Sequence, residues 1–139
     1  MFTYKDANGA LTLEREGNLI LATFSGAINT SIMKHFIDEI DDLIAPIQGQ
    51  SWAYVSDSIK VHAATPDSEE SLKKAVLKYY ELGCVCGAYV STSAVMINQM
   101  DRVLKGVGVP TGIDGKLFES TEAAKAFCTQ TLLQLSDSN

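Results

Sequence analysis

Among 139 residues the sequence has only two histidines, three cysteines and three prolines, and its 11 Lys and Arg residues never cluster. Each shortage excludes something. Phosphate neutralisation supplies most of the affinity for nucleic acid. A chain with a net charge of -6 and no basic stripe therefore has no expected nucleic-acid partner. The same charge gives no electrostatic attraction to anionic lipid. No apolar run approaches the roughly 20 residues that a membrane span needs. The opening MFTYKDANG has neither the basic n-region nor the apolar h-region of a signal peptide. An odd number of cysteines suits a reducing compartment better than a disulfide framework, so the cytoplasm is the expected location.

The same scarcity bears on chemistry. With two histidines, a four-ligand zinc site would need scattered carboxylates, so no metal is expected and Cys84, Cys86 and Cys128 read as buried, inert thiols. There is no G-x-S-x-G nucleophile elbow. Gly106-Val107-Gly108 follows a helical pattern instead of a strand, so it fails the context of a phosphate loop and no cofactor is expected.

What is present is a globular composition, 46% hydrophobic and 20% charged, of a length suited to one domain over residues 1–139. Residues 1–10 carry turn chemistry and read as a loose lead-in. Leu11–Arg15, alternating and suited to an edge, and Leu19–Phe24, apolar on both faces, form a hairpin about Glu16-Gly17-Asn18. Asn29 or Thr30 caps a helix whose apolar residues, from Ile32 and Met33 to Leu43 and Ile44, recur at three- and four-residue spacing, with His35 on its exposed side. Trp52–Val55 is a third strand. Thr65-Pro66-Asp67 starts a helix with the stripe Leu72, Ala75, Val76, Tyr79 and Leu82. Val85–Val90 is a strand, Ser91-Thr92-Ser93 caps the next helix, and Lys116–Phe118 is a short last strand. Ser120 or Thr121 caps a final helix that turns Ala123, Ala124, Phe127, Thr131 and Leu132 inward, and Leu135–Asn139 should fray. The order β-β-α-β-α-β-α-β-α predicts an α/β fold with a mixed, mostly parallel five-stranded sheet.

In such a sheet, ligands collect where parallel strands end and helices begin. That rim takes Ser25 and Ile28 from the second strand, Asp57, Ile59, Val61 and His62 from a long loop over 57–65, and Ser91 and Ser93 after the fourth strand. Ile28, Ile59 and Val61 are apolar residues in loops, which lack a packing reason to be there unless something covers them. Either the loop folds back over the core as a lid, or the rim is a pocket for an apolar or amphipathic small molecule. An enzyme ranks third and would need His62, with Ser58 or Ser91 beside it as nucleophile.

The run EREGNLILATFSGAINTSIMKHFIDEIDDLI, with a Gly-Asn turn, an apolar strand, a glycine and then an amphipathic helix, resembles the opening of SpoIIAA-like (STAS-like) proteins. The downstream layout continues the likeness over about residues 11–133: a strand with Asp57, a helix from Thr65, a strand to Ser91, and STEAAKAF at the last helix. The resemblance implies helices largely on one face of the sheet and a non-enzymatic binding or regulatory role. Two roles come with it. One is carriage of a nonpolar, lipid-like ligand with peripheral membrane contact, which the apolar rim fits. The alternative is a phospho-regulated partner-switching module akin to anti-sigma-factor antagonists. There a Ser is modified at the start of the second helix, and Asp67-Ser68 occupies that place. Glu69-Glu70 would repel the phosphate, so stoichiometric modification of Ser68 is not expected. Either role calls for an apolar small molecule or a protein partner. A sheet with helices on one side also leaves a face open. The aromatic side of the third strand, Trp52 and Tyr54, is then the expected surface of a two-fold homodimer, unless Phe2 and Tyr4 fold across it.

Overall fold

Turn chemistry at the start of the chain does not leave it loose. In the computed structural model, which describes residues 1–137, Phe2–Lys5 is a strand (β1) that pairs antiparallel with Gly9–Glu16 (β2), Phe2 opposite Leu13 and Tyr4 opposite Leu11. Asp6 closes the intervening turn by accepting from the backbone N–H of Asn8 (2.8 Å) and of Gly9 (3.0 Å). Phe2 and Tyr4 pack against the core, and the Tyr4 ring stacks on His35 with centroids 3.8 Å apart, so His35 is half-buried. The sheet therefore has six strands, not five, and β2, with Leu11 and Leu13 wholly buried, is not its edge.

The remaining strands are β3 (Leu19–Ile28), β4 (Trp52–Ala64), β5 (Cys84–Val90) and β6 (Leu117–Phe118), and the six lie side by side in chain order. Pairs β1·β2 and β2·β3 are antiparallel and the other three are parallel. The β2–β3 hairpin turns at Gly17, whose φ of 59° is one that glycine adopts freely. A second glycine contact is steric. A Cβ on Gly9 would sit 2.5 Å from the Ser25 carbonyl, and one on Gly26 would collide with the Asn8 carbonyl, so only bare backbone lets this turn cross the end of β3.

Four helices cover the sheet: α1 (Thr30–Ile44), α2 (Glu69–Glu81), α3 (Ala94–Gly106) and α4 (Thr121–Asp137). Asn29 caps α1 by accepting from the Ile32 N–H at 2.9 Å, and Ser93 caps α3 by accepting from the Met96 N–H at 3.2 Å. Thr65-Pro66-Asp67 starts α2 differently from the expected hydroxyl cap. Pro66–Ser68 makes one 3-10 turn before the helix, and the Thr65 hydroxyl is buried without a partner.

Helices α1, α2 and α3 all pack on the face that carries Ile20, Phe24, Trp52, Tyr54 and Tyr89. The opposite face, made of Leu19, Leu21, Ala53, Val55, Cys86, Ala88 and Val90, is covered by α4 through Ala124, Cys128 and Leu132. Helices thus lie three to one across the sheet. The aromatic side expected to be open is the main core instead. Trp52 is completely buried, its Nε1–H donates to the Leu82 carbonyl at 2.8 Å, and its ring meets Tyr79 edge-on. The surface proposed for a two-fold dimer is therefore covered within the chain, by α1–α3 and not by the N-terminal arm. On α4 the inner stripe is Ala124, Cys128 and Leu132, with Thr131 half-buried beside Cys86, while Ala123 and Phe127 are exposed, the Phe127 ring lying against Phe118 of β6. The helix continues to Asp137, so the expected fraying from Leu135 is not seen that far. Ser138 and Asn139 lie outside the described residues.

Candidate functional site

The segment expected to be a loop over 57–65 is mostly strand. β4 runs 13 residues to Ala64 and stays paired with β3, Ser25 opposite Lys60, Gly26 opposite Val61 and Ile28 opposite Ala64. Two bulges make this possible. Between the Thr23–Asp57 and Ser25–Lys60 pairs, and again between Gly26–Val61 and Ile28–Ala64, β4 carries one residue more than β3. Inward positions therefore fall every three residues, at Ser58, Val61 and Ala64, in place of every two. The choice between lid and pocket for this segment is replaced by a third arrangement, a bulged strand extension.

This geometry divides the residues singled out for the rim. Ile28 and Val61 are core, buried to 1% and 2% exposure, with ordinary packing partners. Ile59 is exposed, and so are Lys60 and His62. Asp57 accepts from the Ile59 N–H at 3.1 Å through one oxygen and from the Thr121 hydroxyl at 3.1 Å through the other, which ties the start of α4 to β4. Ser93 caps α3 and also donates to the His62 carbonyl at 2.5 Å, while Ser91 accepts from the Ser93 N–H at 3.3 Å. Ser25 sits mid-sheet between Ala10 and Lys60. Neither serine expected beside His62 bonds to its ring among the described residues: Ser58 points into the core, where its hydroxyl lies 3.5 Å from that of Ser56, and the Ser91 hydroxyl accepts from the Ser93 N–H.

One residue that fastens the rim was not singled out. Gln99 of α3, itself buried, clamps the end of β4 with both halves of its amide. Its Oε1 accepts from the Ala64 N–H at 2.9 Å and its Nε2 donates to the Ala64 carbonyl at 2.8 Å. Its only signal in the sequence is a polar residue among the apolar positions Met96, Met100 and Val103 of an amphipathic helix. Together with Ser93 it makes the end of β4 and the first turns of α3 one unit. That unit exposes Ile59 (43%) on the strand and Val95 (58%) on the helix.

Beneath the rim lies a cavity of about 20 Å³ between the sheet and α1–α3, lined by Ile28, Phe36, Ser56, Ser58, Tyr79 and Tyr89 among others. It is the size of a single water molecule, far short of an acyl chain. The polar groups around it satisfy one another: Tyr79 and Tyr89 share a hydroxyl–hydroxyl bond, and Ser56 and Ser58 lie 3.5 Å apart. Burial pushes the three interior tyrosines, Tyr54, Tyr79 and Tyr89, well above the usual phenol range, so they stay neutral. Among the described residues no cluster of three or more His, Cys, Asp or Glu could hold a metal ion, and no helix is long and apolar enough to cross a membrane.

At the proposed switch position, Ser68 is wholly buried, and its hydroxyl points to the Thr65 carbonyl at 2.7 Å and the Ile28 carbonyl at 3.2 Å.

No family model matches the sequence, and no curated protein matches it significantly. Solved structures do share its architecture. An uncharacterized protein from Shewanella loihica with a SpoIIAA-like fold superposes with a TM-score of 0.60 over 87% of this chain and 94% of its own, at 14% identity. The fold is SpoIIAA-like. An anti-sigma factor antagonist from Mycobacterium paratuberculosis shows the same SpoIIAA-like match nearly end to end, with a TM-score of 0.57, 16% identity, and 86% and 92% of the two chains covered. The murine solute carrier 26 family member A9 anion transporter matches at a TM-score of 0.61 and 16% identity, covering 84% of this chain, which spans only 18% of that one. At such identities the SpoIIAA-like likeness speaks for the fold.

Proposed function

We propose that this SpoIIAA-like chain is a non-enzymatic regulatory module that acts by binding a protein partner at the rim where β4 ends and α3 begins. The observation that carries this reading is the pair of exposed apolar side chains, Ile59 and Val95, on a unit that Gln99 and Ser93 hold rigid. Apolar groups fixed on well-ordered backbone lose little entropy on docking, which favours a partner surface. The flanking Lys60 and His62 supply a polar edge. The fold shared with an anti-sigma factor antagonist supports a protein over a small molecule as the partner. The water-sized cavity supplies no room for a lipid-like ligand in the interior. Within this reading the module works without phosphate on Ser68, since that hydroxyl is buried and already bonded.

Native mass spectrometry of the chain purified from its own host tests the reading. The expected result is a complex with one protein of defined mass, lost in Ile59→Asp/Val95→Asp while the unfolding free energy of that variant stays within about 0.5 kcal/mol of the parent, as for surface changes. A complex that survives the double change would place the surface elsewhere. A retained lipid-like mass would restore the small-molecule reading.

A further inference from the structure

The face beneath α4 holds two thiols that play no part in the rim. Cys86 on β5 and Cys128 midway along α4 bring their Sγ atoms to 3.5 Å. Both are buried: Cys128 has no exposure, and what little the pair has, 9%, belongs to Cys86. Cys84 is only two residues from Cys86, and strand alternation alone would put both on one face. A bulge opposite Trp52 and Ala53 gives β5 an extra residue there. Cys84 consequently faces the aromatic core and donates to the Cys86 carbonyl at 3.4 Å, away from the other two. The pair is thus isolated from the third thiol.

We propose that Cys86 and Cys128 form a redox-active pair, closed to a disulfide by a peroxide-class oxidant, and that closure fastens α4 to β5. To close the bond the two sulfurs must approach from 3.5 Å to about 2.05 Å. The roles of the two are unequal. The hydrogen bond from Cys128 favours the thiolate of Cys86, against the opposing effect of burial, and the Thr131 hydroxyl and the charge of Lys116 add to it. The same hydrogen bond holds the proton on Cys128 and pushes its thiol up. Thiolates and not thiols attack peroxides.

The Cys86 thiolate attacks one oxygen of the peroxide, the O–O bond breaks, and hydroxide leaves, giving a sulfenic acid on Cys86. Cys128 sulfur then attacks that sulfur. The S–O bond breaks, hydroxide leaves and takes the Cys128 proton as water, and the S–S bond forms. For hydrogen peroxide the sum is two thiols and one peroxide to one disulfide and two waters. The pair loses two electrons and the peroxide gains them.

The test uses the full chain, fully reduced and then exposed to hydrogen peroxide, quenched with N-ethylmaleimide under denaturing conditions. Once the mass of the added maleimide is subtracted, the intact mass should lie about 2 Da below that of the reduced chain, with one maleimide bound, on Cys84, and peptide mapping should link Cys86 to Cys128. Cys84→Ala should behave as the parent. Cys128→Ala, which lacks the hydrogen bond that favours the Cys86 thiolate, should instead stop, and more slowly, at a dimedone-reactive sulfenic acid on Cys86, and Cys86→Ala should give neither product. Amide exchange along α4 should slow in the oxidised chain, an outcome that needs no variant to fold. Three maleimides after oxidation, a link that includes Cys84, or sulfinic acid accumulating on Cys86 of the parent would each overturn the pair. Unchanged α4 exchange in a linked chain would overturn the fastening.

Discussion

The two faces of the sheet are built on opposite plans. On one, three helices lie over Trp52, Tyr54, Tyr89 and Phe24, and large rings fill a deep layer in which Tyr54 and Tyr79 lie tilted with centroids 4.8 Å apart and Phe36 meets Tyr54 edge-on. On the other, a single helix lies over leucine, alanine, valine and cysteine. The contrast shows what side-chain size decides. Small residues on both partners, Ala53 and Ala88 against Ala124 and Cys128, let one helix come down close to the strands, whereas three helices at a greater distance need rings to fill the space between. Large residues mark the thick layer, and the small ones mark where a lone helix sits.

Breaking the thick face should cost most. Trp52→Ala removes a fully buried ring and its bond to Leu82, and is expected to lose about 3–5 kcal/mol in denaturant unfolding followed by circular dichroism. A loss below about 1 kcal/mol would mean that the ring is not central to that layer. On the thin face, Ala124→Leu adds volume where helix and sheet touch, and should cost about 1–3 kcal/mol. Its signature is local: amide exchange along α4 speeds up while Trp52 emission keeps its buried maximum, because Trp52 lies on the other side. A red shift of Trp52 in this variant would show that the two layers do not respond separately. Least affected is Lys125→Ala, which removes the 3.2 Å ion pair from α4 to Glu16 at the end of β2. The pair is partly exposed, so the unfolding free energy should change by less than about 1 kcal/mol. A larger shift would mean that α4 is held by charge as well as by packing.

Much of this arrangement was legible in the sequence, and the failures have identifiable causes. Periodicity marked α1, α2 and α3, and the caps at Asn29 and Ser93 were visible as residue types. The strand β1 was hidden because FTYK is short and runs straight into Asp6, Asn8 and Gly9, whose turn chemistry dominates the window. The second half of β4 was hidden because two bulges replace the two-residue period with a three-residue one, so Ile59, Val61 and His62 read as loop. Assigning the aromatic face to a partner rested on the premise that helices favour small residues, which holds for α4 alone. At the rim, Ser93 was found through its role as a cap. Gln99 was not, because a polar residue on a helix gives no sign of whether it faces water or, as here, a strand end. The position of Ser68 was correctly located at the start of α2, but its burial depends on Ile28, 40 residues away.

The thin face also has a consequence in time. Every strand it contains, from Leu19 to Val90, is synthesised before the helix that covers it. At the rates of translation, about 5–20 residues per second, the stretch from Phe118 to Leu132 takes on the order of a second to appear. For that interval the nascent chain presents Leu19, Leu21, Val55 and Val90 as an uncovered apolar strip. A ribosome that stalls before Ala124 leaves the strip without its covering helix for as long as the stall lasts, open to chaperones and to aggregation.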